Sequence, residues 1–156
     1  MVLLMNKLTK SLENYEIDKL VNYVKTQRFK ADEKIIKFGD QPKYYYIMKQ
    51  GKAKILVHND GVHPEDPLIL KKVNQTKTVH RGEGFGEIAL FYNERRSATV
   101  LADGDCEAYI IDAKIFQEYV VMSRVQRLAA KANYLESFNL FNCLDNYQKL
   151  NLFEGF

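Results

Sequence analysis

The residue types and spacing best suited to chemistry lie in one run, Phe85-Gly86-Glu87-Ile88-Ala89-Leu90-Phe91-Tyr92-Asn93-Glu94-Arg95-Arg96-Ser97-Ala98-Thr99-Val100. Glycines at 82, 84 and 86 lead into a short apolar helix, then a charged turn, then a strand. Gly86 lets a ligand come close to the backbone. The first amides of the helix, at Glu87, Ile88 and Ala89, have no partner within it and favour an anion. Arg96 closes the turn and presents a planar fork of donors to anionic oxygens. Glu87 is an acceptor at the same mouth, suited to a sugar hydroxyl. One carboxylate with one guanidinium suits a ligand that carries a hydroxyl donor beside a single negative charge, and a cyclic phosphodiester on ribose is such a ligand. The competing reading is an ion pair between Glu87 and Arg96 that only fixes the turn.

Other chemistries find little support in the sequence. Gly82-Glu83-Gly84-Phe85-Gly86-Glu87 approaches a dinucleotide fingerprint, but its sixth position is Glu87 where Gly or Ala is required. A triad built on Ser97 and His80 has no nucleophile elbow behind it. The histidines at 58, 63 and 80 fall in strands or turns, with surface positions expected, and Cys106 and Cys143 form no ligand pattern, so no metal site and no catalytic set are expected. Sparse cysteine usage suits reduced thiols and a cytoplasmic setting. No apolar run approaches the length of a membrane span. The net charge of +3 is spread along the chain, which argues against a nucleic-acid partner.

The elements that must position the run follow from periodicity. Residues 1–27 read as helical, with Ile17, Leu20, Val21 and Val24 on one face. From 28 to 112 short β-like runs alternate with turn residues: 34–38, 44–49, 53–58, 68–73, 76–80, 97–102 and 107–111. Asp112 is a candidate N-cap, after which the period returns to 3.6 over 113–138, with Ile115, Phe116 and Tyr119 and then Val125, Leu128, Ala129, Ala132 and Leu135 on apolar stripes. This order predicts a mainly β, α+β fold: an eight-stranded jelly-roll β-barrel flanked by N- and C-terminal helices. Residues 1–138 form one domain, and 139–156 begin a following helical segment. Phe138 to Tyr147 weakly echoes Leu4 to Tyr15, so a second copy of the domain and an unrelated amphipathic helix are both open there.

The run from Phe85 resembles the phosphate-binding cassette of the cyclic-nucleotide-binding domain family, whose pattern is Phe-Gly-Glu-(Leu/Ile)-Ala-Leu, seven positions that include the Arg, then Ala-Thr-Val. Ile35-Ile36, Gly39-Asp40, Tyr46-Ile47 and Gly51-Lys52-Ala53-Lys54-Ile55 resemble the family's barrel strands, and the similarity covers roughly residues 5 to 140. The resemblance implies that Glu87 binds the ribose and Arg96 the phosphate, with the backbone of Gly86, Ile88, Ala89 and Ala98 lining the pocket. Arg95 stands where the family often has proline and reads as exposed. The resemblance also implies C-terminal helices that swing over the pocket, with Tyr134 and Phe138 as candidate caps on the base; packing against the barrel is the other reading for both.

Two features lean toward cGMP over cAMP. Ser97 follows the arginine, where cGMP-binding members usually carry Thr and cAMP-binding members Ala. The strand around Leu70-Lys71 resembles the one whose Leu-Arg pair reads guanine in cGMP-dependent protein kinases, although Lys lacks the bidentate fork. The resemblance therefore points to a non-catalytic regulatory domain of a cGMP-dependent protein kinase, with neighbouring cyclic-nucleotide-binding and kinase domains as partners. The alternatives are a cAMP-binding regulatory subunit of a cAMP-dependent protein kinase and the cytoplasmic gating domain of an ion channel. A transcription factor of this fold would need a helix-turn-helix that 139–156 are too short to hold.

Overall fold

The computed structural model describes residues 6, 8–9, 12–58, 61 and 63–136, with side chains described except at 124 and 131–136. Helix α1 (Asn14–Val21) leads into eight strands: β1 (Lys25–Phe29), β2 (Lys34–Ile36), β3 (Tyr44–Gln50), β4 (Ala53–His58), β5 (Val73–Val79), β6 (Gly84–Phe85), β7 (Ala98–Ala102) and β8 (Cys106–Asp112). The short helix α2 (Glu87–Phe91) sits between β6 and β7, and α3 (Ala113–Phe116), a π-helical turn (Gln117–Val121) and α4 (Met122–Glu136) follow β8. The strands form two four-stranded antiparallel sheets, ordered β1-β8-β3-β6 and β2-β7-β4-β5, the jelly-roll arrangement expected from the strand spacing.

Strand β3 shows why the layers assemble. Its run Tyr44-Tyr45-Tyr46-Ile47-Met48 is apolar on both faces, so alternation sends one set each way. Tyr46 and Met48 enter the core between the sheets with Phe29, Phe85, Val100 and Ile110. Tyr45 and Ile47 enter a second core under the helices with Leu20, Leu90, Ile111, Phe116 and Val120. Phe116 is fully buried, its ring 4.7 Å from Tyr45 and 5.4 Å from Phe91. The helical layer is thereby tied to the sheet that carries β6. Asp112 caps α3 as expected, accepting a hydrogen bond from the Lys114 amide at 2.9 Å.

Several expectations need correction. The helical reading of 1–27 overran, because Lys25–Phe29 is strand β1. This is an edge strand whose first four residues are all exposed, so it carries no alternation. Val21 is 38% exposed, whereas Ile17 and Leu20 are buried in the core under the helices and Val24 packs against it, so Val21 alone leaves the expected stripe. The strand expected at 68–73 is a 3₁₀ turn, Ile69–Lys71. Asp66 starts it, accepting from the Leu68 amide at 2.8 Å and pairing with Lys72 at 2.6 Å, an Asx turn that competes with the sheet ladder. Strand β5 begins only after it. His58 is buried rather than superficial, with Nε2 2.8 Å from the Thr99 hydroxyl. Val125 is 51% exposed, so the second apolar stripe is at least partly uncovered. Residues 139–156, with Cys143, lie outside the described residues.

Candidate functional site

Gly86 is the N-cap of α2, with φ +84°. A β-carbon there would lie 2.7 Å from Arg96 Nη1 and 3.0 Å from Ile36 Cδ1, so glycine is required by the arginine itself and not only by a ligand. The turn Tyr92–Ser97 is held from outside. Gly39 N donates to Arg96 O at 2.8 Å, Arg96 N donates to Asp40 O at 2.9 Å, and the exposed Arg95 gives Nη1 to Gly39 O at 2.9 Å.

The Arg96 side chain runs inward and is only 5% exposed. Its Nη1 donates to Gly86 O and its Nη2 to Tyr44 O, each at 2.6 Å. The guanidinium carbon lies 6.0 Å from the Tyr46 ring, which stacks on Phe85 with centroids 5.1 Å apart. Burial pulls the Arg96 pKa below its ordinary value, and the neighbouring Tyr46, Glu87 and Asp40 offset only part of that pull. A guanidinium remains protonated under such opposing pulls. No ion pair joins Glu87 to Arg96 among the described residues, so the turn is fixed by carbonyls and the carboxylate is left available. A buried cation satisfied only by neutral oxygens retains unmet affinity for an anion.

Both side chains border one cavity of about 230 Å³. Gly86, Glu87, Ile88, Ala89, Arg96, Ser97 and Ala98 all line it, so the fold brings these expected site residues together. Leu70 and Lys71 do not line it; they lie exposed in the 3₁₀ turn. The cavity is also lined by residues outside the expected set: Ile36, Ile55, Val57, Gln75, Lys77 and Val100. Alternation in β4 held the signal for two of them, because Ile55 and Val57 share a face with the buried Ala53. Gln75 and Lys77 hold the same relation on β5, which became legible only once the 3₁₀ turn had set where that strand begins. Tyr134 lies in α4, with its side chain outside the description, and Phe138 lies outside the described residues. No group of three or more His, Cys, Asp or Glu suited to a metal occurs among the described residues. No described helix is long and apolar enough to cross a membrane.

A family model for the cyclic nucleotide-binding domain matches residues 26–122, which include the whole cassette run and, apart from Lys25, both sheets. The chain belongs to this family. It is 31% identical over 117 residues to a cAMP-dependent protein kinase regulatory subunit of Hypocrea atroviridis, a match covering 74% of this chain and 25% of that protein. It is 28% identical over 144 residues to a cGMP-dependent protein kinase of Plasmodium berghei, covering 92% of this chain and 15% of that one. The chain thus spans a quarter or less of the length of either relative. In fold it resembles the regulatory domain of Toxoplasma gondii PKA solved with cAMP, with TM-score 0.69 and 23% identity over 95% of this chain and 53% of that one.

Proposed function

We propose that this domain binds a 3′,5′-cyclic purine nucleotide, cGMP in preference to cAMP, and serves as the allosteric regulatory domain of a cGMP-dependent protein kinase. The observation that carries the reading is Arg96, a buried guanidinium on a cavity that Gly86–Ala89 and Ser97–Ala98 also line. The equatorial oxygens of a cyclic phosphate would take the remaining donors of the fork and the amides at Ile88 and Ala89. Glu87, free of a charged partner, would accept the ribose 2′-hydroxyl. The base would then lie against Ile55 and Val57, within reach of Gln75 and Lys77. Those two polar residues of β5 replace Leu70 and Lys71 as the side chains suited to reading a purine edge.

Ser97 supports the preference for cGMP, because it lines the cavity beside Arg96 and carries a hydroxyl where cAMP-binding members of the family usually have alanine. The second reading is a cAMP-binding regulatory subunit, favoured by the names of several relatives. Under either reading the setting is cytoplasmic and the effector is a kinase domain elsewhere in the assembly. Calorimetric titration with cGMP, cAMP and 5′-GMP tests the proposal. Saturable binding of cGMP, weaker binding of cAMP and none of 5′-GMP supports it. Tighter cAMP binding turns the assignment to the second reading, and no heat with either cyclic nucleotide refutes both.

A further inference from the structure

Helix α4 holds one unusual tie to the rest of the fold. Glu16, on α1, is a carboxylate only 7% exposed. One of its oxygens accepts a hydrogen bond from the Ser123 hydroxyl, and the other pairs with Arg127 Nη1 at 3.0 Å. That second oxygen also accepts from the Glu13 amide at 2.8 Å, completing a capping box, so the carboxylate is held rigidly by its own helix. The clasp is imperfect, because Arg127 Nη2 is buried without an acceptor. A partly satisfied buried polar cluster is a contact that can be exchanged for another.

No described residue of α4 beyond Met122 lines the cavity or the groove beside α2. Large apolar side chains are meanwhile uncovered on both sides of that gap: Ile88 at 52% exposure on the cavity wall, and Met122 and Val125 at 51% each on α4. Between them lies the π-helical turn Gln117–Val121, a rare geometry that often marks a functional bend. Its first residue is moored to the cassette, with Gln117 Nε2 donating to Leu90 O. One end of the turn is therefore fixed to α2 and the other leads to the Glu16 clasp.

We propose that Glu16, Ser123 and Arg127 form a latch that holds α4 away from the cavity and thereby sets nucleotide affinity, with the π-helical turn as its hinge. Release lets Met122 and Val125 close on Ile88. A ligand that binds best to the closed state must first open the latch, so the latch lowers apparent affinity by the fraction of molecules already released. Glu16 and Arg127 are positioning residues, because neither borders the cavity.

The inference rests on the nucleotide-binding reading, and the experiment separates the two. The whole chain is compared with Arg127→Met, which keeps most of the side-chain volume, and with Ser123→Ala. Two readouts are taken: the cyclic-nucleotide dissociation constant, and amide hydrogen exchange at residues 122–130 without ligand. The expected result for Arg127→Met is a dissociation constant lowered roughly three- to tenfold, the modest size expected for a partly exposed pair. Exchange in α4 should be faster, with β3 and β8 unchanged. Ser123→Ala should move both readouts in the same direction. Unchanged or weaker affinity in Arg127→Met overturns the latch even if α4 exchanges faster. If the wild-type chain binds neither cyclic nucleotide, the functional reading falls. The latch, proposed as a control on that affinity, falls with it, whereas wild-type binding with unchanged affinity in Arg127→Met overturns the latch alone.

Discussion

Replacing Arg96 with Met separates the two things this residue does. In the structure the guanidinium clasps β3 to the cassette through Tyr44 O and Gly86 O, both at 2.6 Å, and also faces the cavity. Methionine fills much of the same volume and removes the charge. Two carbonyls lose a donor, at about 1–3 kcal/mol each if they stay dry. Against this, a buried charge disappears whose desolvation costs several kcal/mol. The opposing effects are of similar size, so the variant should fold, with a melting temperature within a few degrees of wild type. Binding has no such compensation. A charge-assisted hydrogen bond to phosphate contributes about 1.5–3 kcal/mol, so affinity should fall by roughly ten- to a hundredfold. Arg96→Lys keeps the charge, but a single ammonium cannot reach both carbonyls and the ligand, so its loss should be intermediate. The assay is calorimetric titration of the three proteins with thermal melts as the control for folding. A folded Arg96→Met that binds as tightly as wild type would show that the phosphate is held elsewhere and refute the reasoning.

Two further outcomes follow from the geometry. Gly86→Ala places a β-carbon 2.7 Å from Arg96 Nη1 at φ +84°, so it should lower both stability, by about 1–2 kcal/mol, and affinity, by roughly tenfold. Gly104→Ala is the control: its φ is +85° with nothing within 4 Å, so melting should show the strain while calorimetry shows unchanged affinity. The second outcome concerns acid. Burial pushes the Glu16 carboxyl up, but the hydrogen bonds from Ser123, Glu13 and Arg127 outweigh it and leave the pKa below its ordinary 4.5. A depressed carboxylate stabilises the fold above its unfolded pKa and loses that contribution as pH falls through the folded one. Protection factors for amide exchange in α4, corrected for the intrinsic pH dependence of exchange, should therefore fall below about pH 4.5 in the wild type. Glu16→Gln should show no such step, and an equal step in both proteins would assign it to other groups.

What the sequence made legible was whatever repeats locally. The cassette run carries its turn, helix, arginine and strand within sixteen consecutive positions, and the cavity brings Gly86 to Ala89 and Arg96 to Ala98 together as expected. Strand β8 was readable because its burial largely follows its alternation, and β3 because its run is apolar on both faces. Strand β1 was not, because an exposed edge strand of Lys25, Thr26, Gln27 and Arg28 has no apolar face to reveal it. Leu68-Ile69-Leu70 misled for the opposite reason. Its apolar run looks like a strand, but the side chain of Asp66 and the bonds Ile69 N to Asp66 O and Lys71 N to Leu68 O wind it into a turn. The expected contact pair Leu70-Lys71 therefore lies off the cavity, and Gln75 and Lys77 of β5 line it instead. The Glu16 clasp joins residues more than a hundred positions apart, and no local pattern announces such a contact.

A crystal structure of the chain soaked with cGMP tests the central claim most directly. One cyclic nucleotide should occupy the cavity, its phosphate oxygens about 3 Å from the Arg96 guanidinium and its 2′-hydroxyl on Glu87. Nucleotide density away from Arg96, or an empty cavity at saturating ligand, would contradict it.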